Sequence, residues 1–264
     1  MSQSNSPLSL RVISLYEDVL NIYSDRGNRL AVQARAAELG VDVDVDLISI
    51  GDQLPADVDL VLIGGGQDRE QEIVAADLLA KGETLRNWAE TNVAMLAVCG
   101  GFQLFGRGFR NSKGVFLDGI EVFDCVSVTP ISGNLRFVGD VISQSSIEGL
   151  GTIVGYENHA GQTFLGESAI PFAEIEIGFG NNGVDKTEGV WRNSCVGTYL
   201  HGSILPNNSQ LLDWLFKRAI EHRMSCDSNF DSVVLEKMSE HSKLSKASEF
   251  ARQLILDTVR REQE

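Results

Sequence analysis

The chain has 264 residues, 43% hydrophobic and 22% charged, which is the composition of an ordinary globular protein. Its formal net charge of −15 argues against non-specific binding to nucleic acid or anionic lipid, because both carry negative charge. No apolar run is long enough to span a bilayer and the polar N-terminus has no secretory pattern, so we expect a cytoplasmic protein without membrane insertion. Four cysteines without metal-type spacing predict reduced thiols and no metal site.

The first hundred residues alternate strand patterns with helical periodicity. Apolar strand patterns occur at 10–15, 42–50, 59–63 and 94–98, and helical patterns occur at 30–39, 71–79 and 83–90. Such alternation predicts an α/β fold, a largely parallel sheet with helices on both faces. Functional side chains are then expected at the carboxyl ends of the strands.

Beyond Gly119 the pattern changes to short strands separated by Gly, Asn and Ser turns, at 122–128, 134–142, 152–156, 173–177 and 189–191. This predicts mostly antiparallel strands that extend the sheet. A last apolar strand is predicted at 195–200, directly before His201. A helix is predicted over 210–221. The composition then changes, which divides the chain into a domain of residues 9–224 and a helical extension, 225–264, with an amphipathic helix over 247–261.

Cys99 stands at the end of the strand 94–98, and Gly100 and Gly101 follow it before apolar residues at helical spacing. A buried cysteine packed at a strand end is the simpler interpretation, but packing alone does not require two glycines. Glycines permit a sharp turn, and the first N–H groups of the following helix favour a thiolate there. The pattern matches the strand–nucleophile–helix elbow of serine hydrolases, so we expect Cys99 to be a nucleophile.

A cysteine nucleophile needs a base, and the chain has four histidines. His222 and His241 lie in charged helical surroundings and are expected on the surface. His201 follows a buried strand and opens onto the same sheet edge as Cys99, although a packed histidine at a strand end would show the same pattern. His159, also near a strand end, is the competing candidate.

A glycine triplet, Gly64 to Gly66, follows the strand 59–63. Backbone N–H groups at that edge can bind a developing oxyanion, and we predict Gly65 and Gly100 as the donors. A phosphate-binding loop is the alternative, but the Lys-Ser/Thr of a P-loop is missing. Together these parts predict acyl transfer through a thioester on Cys99, with His201 protonating a departing amine.

The stretches 98–103 and 197–202 resemble the C-G-G-x-Q and T-Y-L-H-G motifs of class I glutamine amidotransferases of the cobyric-acid-synthase-like branch. Further stretches are similar to the glutaminase subunits of lipid II isoglutaminyl synthases, at 20–28, 64–71, 151–159, 178–182 and 201–206. The resemblance implies a flavodoxin-like domain that hydrolyses L-glutamine to glutamate and ammonia. It implies Cys99 as nucleophile, His201 as base and Arg136 as the contact for the substrate α-carboxylate.

The resemblance also implies a heterodimer with a Mur-ligase-like (MurT-like) subunit. That partner would use ATP and Mg²⁺ to amidate the D-glutamate of the lipid II stem peptide with the ammonia, so no cofactor is expected in this chain. One alternative is the glutaminase part of a cobyrinic or cobyric acid amidating synthase, which usually carries its synthetase domain in the same chain. Another is a catalytically silent binding module, against which the intact Cys99 and His201 argue.

One position departs from the family pattern. Most class I amidotransferases have a glutamate two residues after the catalytic histidine, where this chain has Ser203. A serine cannot stabilise an imidazolium as a carboxylate does. Either another acid substitutes, or Cys99 and His201 form a dyad that is slow until the partner docks; our hypothesis is the dyad. The extension after residue 224 either packs on the domain or contacts the partner.

Overall fold

The structure is a computed structural model that describes residues 9–22, 25–131, 136–227, 233–238 and 243–262. Its central sheet has six strands: β1 (Ser9–Leu15), β2 (Asp42–Ile48), β3 (Leu60–Ile63), β4 (Ala94–Val98), β13 (Val190–Arg192) and β14 (Cys195–Thr198). Their spatial order is β13, β14, β4, β3, β1, β2, and all neighbours pair in parallel except β13 with β14. β3 and β4 are buried along their whole length, as expected for central strands covered on both faces.

The first five helices of the chain are α1 (Arg26–Leu39), α2 (Asp68–Glu90), α3 (Gly100–Phe105), α4 (Ile204–Asn207) and α5 (Ser209–Cys226). The connection β1–α1–β2 moves toward one edge of the sheet, whereas β3–α2–β4 moves toward the other. Because such crossovers are right-handed, α1 and α2 cover opposite faces. The direction changes between β1 and β3, which is where open α/β sheets form their binding crevice.

α2 corrects one sequence prediction, because the two helices expected at 71–79 and 83–90 are one continuous helix. Gly82, at the expected break, lies within it. A Cβ at Gly82 would approach the Ile120 Cγ2 atom to 3.0 Å, so this glycine serves close packing and does not end the helix.

The short strands predicted after Gly119 also differ from the expectation, since only β13 among them lies in the central sheet, where it pairs with β14. The other predicted strands lie in two further four-stranded sheets, which also contain strands that were not predicted. One contains β5 (Gly108–Arg110), β6 (Phe116–Asp118), β7 (Cys125–Val128) and β10 (Gln162–Leu165), and the other contains β8 (Phe137–Ser145), β9 (Thr152–His159), β11 (Ala173–Ile177) and β12 (Thr187–Glu188). Pairing within them is antiparallel apart from β5 with β7. Residues 134–135, where a strand was predicted to begin, lie outside the described residues.

The C-terminal extension packs back on the domain. α5 continues to Cys226, and α6 (Val233–Lys237) and α7 (Lys243–Glu262) follow it. Leu256 and Val259 of α7 are buried against Ile142 and Val154 of the β8–β9 pair. This contact fits the packed alternative for the extension and leaves a partner contact untested. Among the described helices, none has both the length and the apolarity to cross a membrane.

Candidate active site

Cys99 lies at the turn between β4 and α3 in a conformation that side chains rarely adopt. Its φ of 50° and ψ of −106° store strain that the surrounding contacts maintain. The Cys99 N–H donates to the Thr198 carbonyl at 2.8 Å, and the Cys99 carbonyl accepts the Gln103 N–H at 3.0 Å. This is the geometry of a nucleophile elbow, and Cys99 lines a cavity at the sheet edge.

The glycines after Cys99 allow the loop that follows β3 to dock on the elbow. A Cβ at Gly101 would lie 2.8 Å from the Gly64 carbonyl oxygen, and a Cβ at Gly100 would lie 2.9 Å from the Gly66 nitrogen. The Gly101 N–H also donates to the Gly64 carbonyl at 3.2 Å. Both glycine clusters of the sequence therefore meet at one point because neither carries a side chain.

His201 follows β14 and is fully buried beside Cys99. Burial lowers the pKa of His201, but the charge of the Cys99 thiolate and hydrogen bonds to Cys99 and Asp25 outweigh burial and raise this pKa to about 10. The predicted nucleophile and base are thus adjacent at one sheet edge. An imidazolium beside a thiolate is the arrangement that activates a cysteine for attack on a carbonyl.

Asp25 completes a triad that the sequence analysis missed. Its Oδ1 lies 3.3 Å from the His201 Nδ1, and its Oδ2 accepts the Gly65 N–H at 2.8 Å. The residue is almost wholly buried. The sequence did contain an indication of this role, because Asp25 lies between the first strand and the first helix and so at the same sheet edge as Cys99 and His201. Another acid therefore lies beside the histidine in place of the usual glutamate, which corrects the dyad, while the dependence on a docked partner stays a prediction.

The fold also accounts for Ser203 at the position of that glutamate. A Cβ at Gly27, in the first turn of α1, would lie 2.2 Å from the Ser203 Oγ. α1 therefore approaches this side chain closely, and a longer side chain in the same direction would meet Gly27. The same approach brings Asp25, just before α1, beside His201.

The predicted oxyanion donors need one correction. The Gly65 N–H donates to Asp25 and so is not available to a ligand. Gly66 lines the cavity, and its nitrogen lies beside Gly100. Which N–H of the triplet faces the cavity depends on the loop conformation, which the three identical residues do not encode.

The cavity beside Cys99 has a volume of about 430 Å³, and Arg136 forms part of its wall. The Arg136 Nη2 donates to the Asn158 carbonyl at 3.1 Å, and its Nε donates to the Asn158 Oδ1. These bonds orient the guanidinium and leave further N–H groups for an anionic ligand group. The arrangement agrees with the expected role of Arg136 without testing it.

The other histidines have different surroundings. His159 lines the cavity, but its Nδ1 contacts the Gly161 carbonyl at 2.7 Å, its ring stacks on Tyr199, and its Nε2 lies 3.6 Å from the Glu157 carboxylate. His222 was expected on the surface but is half-buried, with its Nδ1 3.0 Å from the Asp59 carboxylate. His241 lies outside the described residues.

Comparisons with known proteins agree with this geometry. Residues 11–209 match the CobB/CobQ-like glutamine amidotransferase domain. The chain is 34% identical over 253 residues to "Lipid II isoglutaminyl synthase (glutamine-hydrolyzing) subunit GatD" of Streptococcus pneumoniae, covering 94% of this chain and 96% of that one. It is 34% identical over 215 residues to the Staphylococcus aureus protein of the same name, covering 81% and 86%. A probable cobyric acid synthase of Methanothermobacter thermautotrophicus is 30% identical over 176 residues, which is 61% of this chain and 33% of that protein.

The fold agrees with solved structures as well. A glutamine amidotransferase of Thermotoga maritima superposes with a TM-score of 0.51 at 13% identity, covering 95% of both chains. A second glutamine amidotransferase gives a TM-score of 0.53 at 15% identity, covering 78% of this chain and 98% of that one.

Proposed function

We propose, because this chain belongs to the CobB/CobQ-like glutamine amidotransferase family, that it is the glutaminase subunit of a lipid II isoglutaminyl synthase. The observation that carries the proposal is the convergence of Cys99, His201 and Asp25 beside one cavity. The match to the pneumococcal subunit covers nearly all of both chains, whereas the match to a cobyric acid synthase covers a third of that protein. This difference in coverage favours the lipid II type over the cobyric acid type.

Catalysis begins with L-glutamine held by its α-carboxylate on Arg136. The Cys99 thiolate attacks the carboxamide carbon, and the oxygen of the tetrahedral intermediate accepts hydrogen bonds from the Gly66 and Gly100 N–H groups. The His201 imidazolium gives its Nε2 proton to the carboxamide nitrogen, and the C–N bond breaks. Ammonia departs, and a γ-glutamyl thioester remains on Cys99.

Hydrolysis of the thioester then regenerates the site. Neutral His201 takes a proton from water, whose oxygen attacks the thioester carbon, and the C–S bond breaks to release glutamate and the thiolate. Throughout, the Asp25 carboxylate accepts the Nδ1–H of His201 and so keeps Nε2 directed at the reacting atoms.

The ammonia passes to a Mur-ligase-like partner in a heterodimer. The partner binds ATP and Mg²⁺, activates the α-carboxylate of D-glutamate in the lipid II stem peptide, and forms D-isoglutamine. The names of the two subunits that this chain resembles support a glutamine-hydrolysing subunit of a larger synthase. The pairing as a heterodimer and the absence of a cofactor in this chain are part of the proposal.

Glutamate release from glutamine tests this function, with the chain alone and with a co-expressed Mur-ligase-like subunit. Because the triad is complete within one chain, we expect release by the chain alone and, with the partner, ATP-dependent amidation of lipid II. The Cys99→Ala variant is the blank. Release only in the presence of the partner would mean that the triad is not assembled in the free subunit. No release in either case would favour the silent binding module.

Replacement of Gly65 by alanine is expected to reduce glutamate release about 100-fold or more, because a reacting geometry displaced by even 1 Å loses rate on this scale. A Cβ at Gly65 would lie 2.8 Å from the His201 Cε1 and 3.0 Å from the Cys99 Cβ, directly between base and nucleophile. Thermal unfolding separates this effect from loss of the fold. Activity within a few-fold of wild type would contradict the packing of this loop against the two residues.

A further inference from the structure

Gln71 carries a carboxamide at the cavity wall that the proposed mechanism does not use. It lies in the first turns of α2, its side chain is 1% exposed, and it lines the cavity together with Cys99. Its Nε2 donates to the Gly100 carbonyl at 3.3 Å and to the Gln103 Oε1 at 2.7 Å. A Cβ at Gly100 would lie 3.2 Å from the Gln71 Cδ, so this carboxamide is packed against the nucleophile elbow.

The hydrogen-bond network fixes the orientation of this carboxamide. The Gly100 carbonyl can only accept, so Nε2 and not Oε1 must face it. Gln103 accepts from Gln71 and in turn donates from its Nε2 to the Tyr199 hydroxyl at 3.0 Å. Tyr199 bonds the Thr163 hydroxyl at 2.6 Å, and because hydroxyls donate or accept, the far end of the network accommodates this direction. A flipped Gln71 would set two acceptors against each other.

Both donors of the Gln71 carboxamide are therefore used, and its acceptor is not. Among the described residues, no hydrogen bond reaches Oε1, and the side chain borders the cavity. A carbonyl oxygen that has a fixed orientation, on a side chain that borders the cavity, is suited to accept an N–H from a ligand.

We propose that the Gln71 Oε1 accepts an N–H of the scissile carboxamide and thereby distinguishes glutamine from its product glutamate. This inference rests on the proposed function and adds a substrate-recognition residue to it. The contact of Gln71 with Gly100, the proposed oxyanion donor, puts its carboxamide at the reacting end of the cavity and not at the Arg136 end. Glutamate has no N–H to offer there, and its carboxylate would face a carbonyl oxygen, which favours product release.

A pair of reactions on Gln71→Leu tests the inference. A glutamine-like diazoketone, 6-diazo-5-oxo-L-norleucine, carries the α-amino and α-carboxylate groups and labels a nucleophilic cysteine, but it has no carboxamide nitrogen. We expect kcat/KM for glutamine to fall about tenfold or more, since an acceptor for the substrate is lost, while the labelling rate stays within about twofold of wild type. Inhibition by glutamate should become tighter in the variant.

Two results would overturn the inference. A parallel loss of hydrolysis and labelling would show that Gln71 only supports the elbow or binds the α-ammonium, which both compounds share. Unchanged hydrolysis would show that Gln71 does not bind the carboxamide nitrogen of the substrate. Gln53→Leu, in the exposed loop after β2, is the matched control and should leave both rates unchanged. A wild-type chain that neither hydrolyses glutamine nor is labelled would instead contradict the proposed function.

Discussion

Cys99→Ala is expected to abolish glutamate release, because the thioester cannot form without Sγ, and Cys99→Gly is expected to be equally inactive. The two inactive variants should differ in stability in an unusual direction. At φ 50° and ψ −106° a Cβ is strained, so the glycine variant should be more stable than the alanine variant by about 1 kcal/mol. Glycine is ordinarily the less stable of the two because it loses more backbone entropy on folding.

Chemical denaturation of both variants measures this difference, and labelling by the diazoketone checks that each has lost the nucleophile. The control is the same pair of substitutions at Cys195, which is buried in β14. There the alanine variant should be the more stable one. If the alanine variant is the more stable one at position 99 as well, the elbow stores no strain.

Asp25→Asn should lower kcat about 100-fold or more, with little change in the unfolding temperature. The carbonyl oxygen of the introduced carboxamide would accept the Gly65 N–H that Oδ2 accepts in the wild type, which turns the new NH₂ group toward the His201 Nδ1. The Nδ1 must then accept, so neutral His201 carries its proton on Nε2 and cannot take one from water or from the thiol.

The pH dependence of kcat/KM provides a second test of the interaction between Asp25 and His201. Burial lowers the pKa of His201, but the charge of Cys99 and the Asp25 carboxylate outweigh burial and raise this pKa to about 10, so the protonated form persists until the pH approaches that value. Removal of the carboxylate lowers this pKa, and the alkaline limb of kcat/KM should move to lower pH. The control is Asp52→Asn, in an exposed loop, which should leave kcat and the alkaline limb of kcat/KM unchanged. An unshifted limb in the Asp25 variant would mean that Asp25 does not interact electrostatically with His201.

The site was predictable where the carboxyl ends of parallel strands determined it. Cys99 and His201 each follow a buried strand, and parallel strands bring such positions to one edge. Asp25 also lies beyond the end of a strand at this edge, but β1 ends at Leu15, so the strand pattern alone does not single it out, and the position two residues after the histidine is occupied by Ser203. The Gly65 assignment was wrong because a backbone hydrogen bond to a distant side chain decides which N–H is free.

The fold was predictable to a similar extent. The alternating strands and helices up to β4 indicated the central sheet. The helical pattern of α2 indicated two stretches, 71–79 and 83–90, and Gly82 lies between them; glycine weakens isolated helices, but here its contact with Ile120 fits the continuous helix. Alternation in the later strands indicated pairing, but it carries no information on which sheet a strand joins, so two separate sheets were read as one extension.

The positions of the triad residues along the chain also determine when the active site can form during folding. Asp25 and His201 are 176 residues apart and meet only after β14 has paired with β4, a strand about a hundred residues earlier. A nascent chain released from the ribosome without β14 holds the nucleophile but neither the base nor its bond to the acid. Such incomplete chains cannot consume glutamine, so hydrolysis is restricted to molecules in which this long-range pairing has formed.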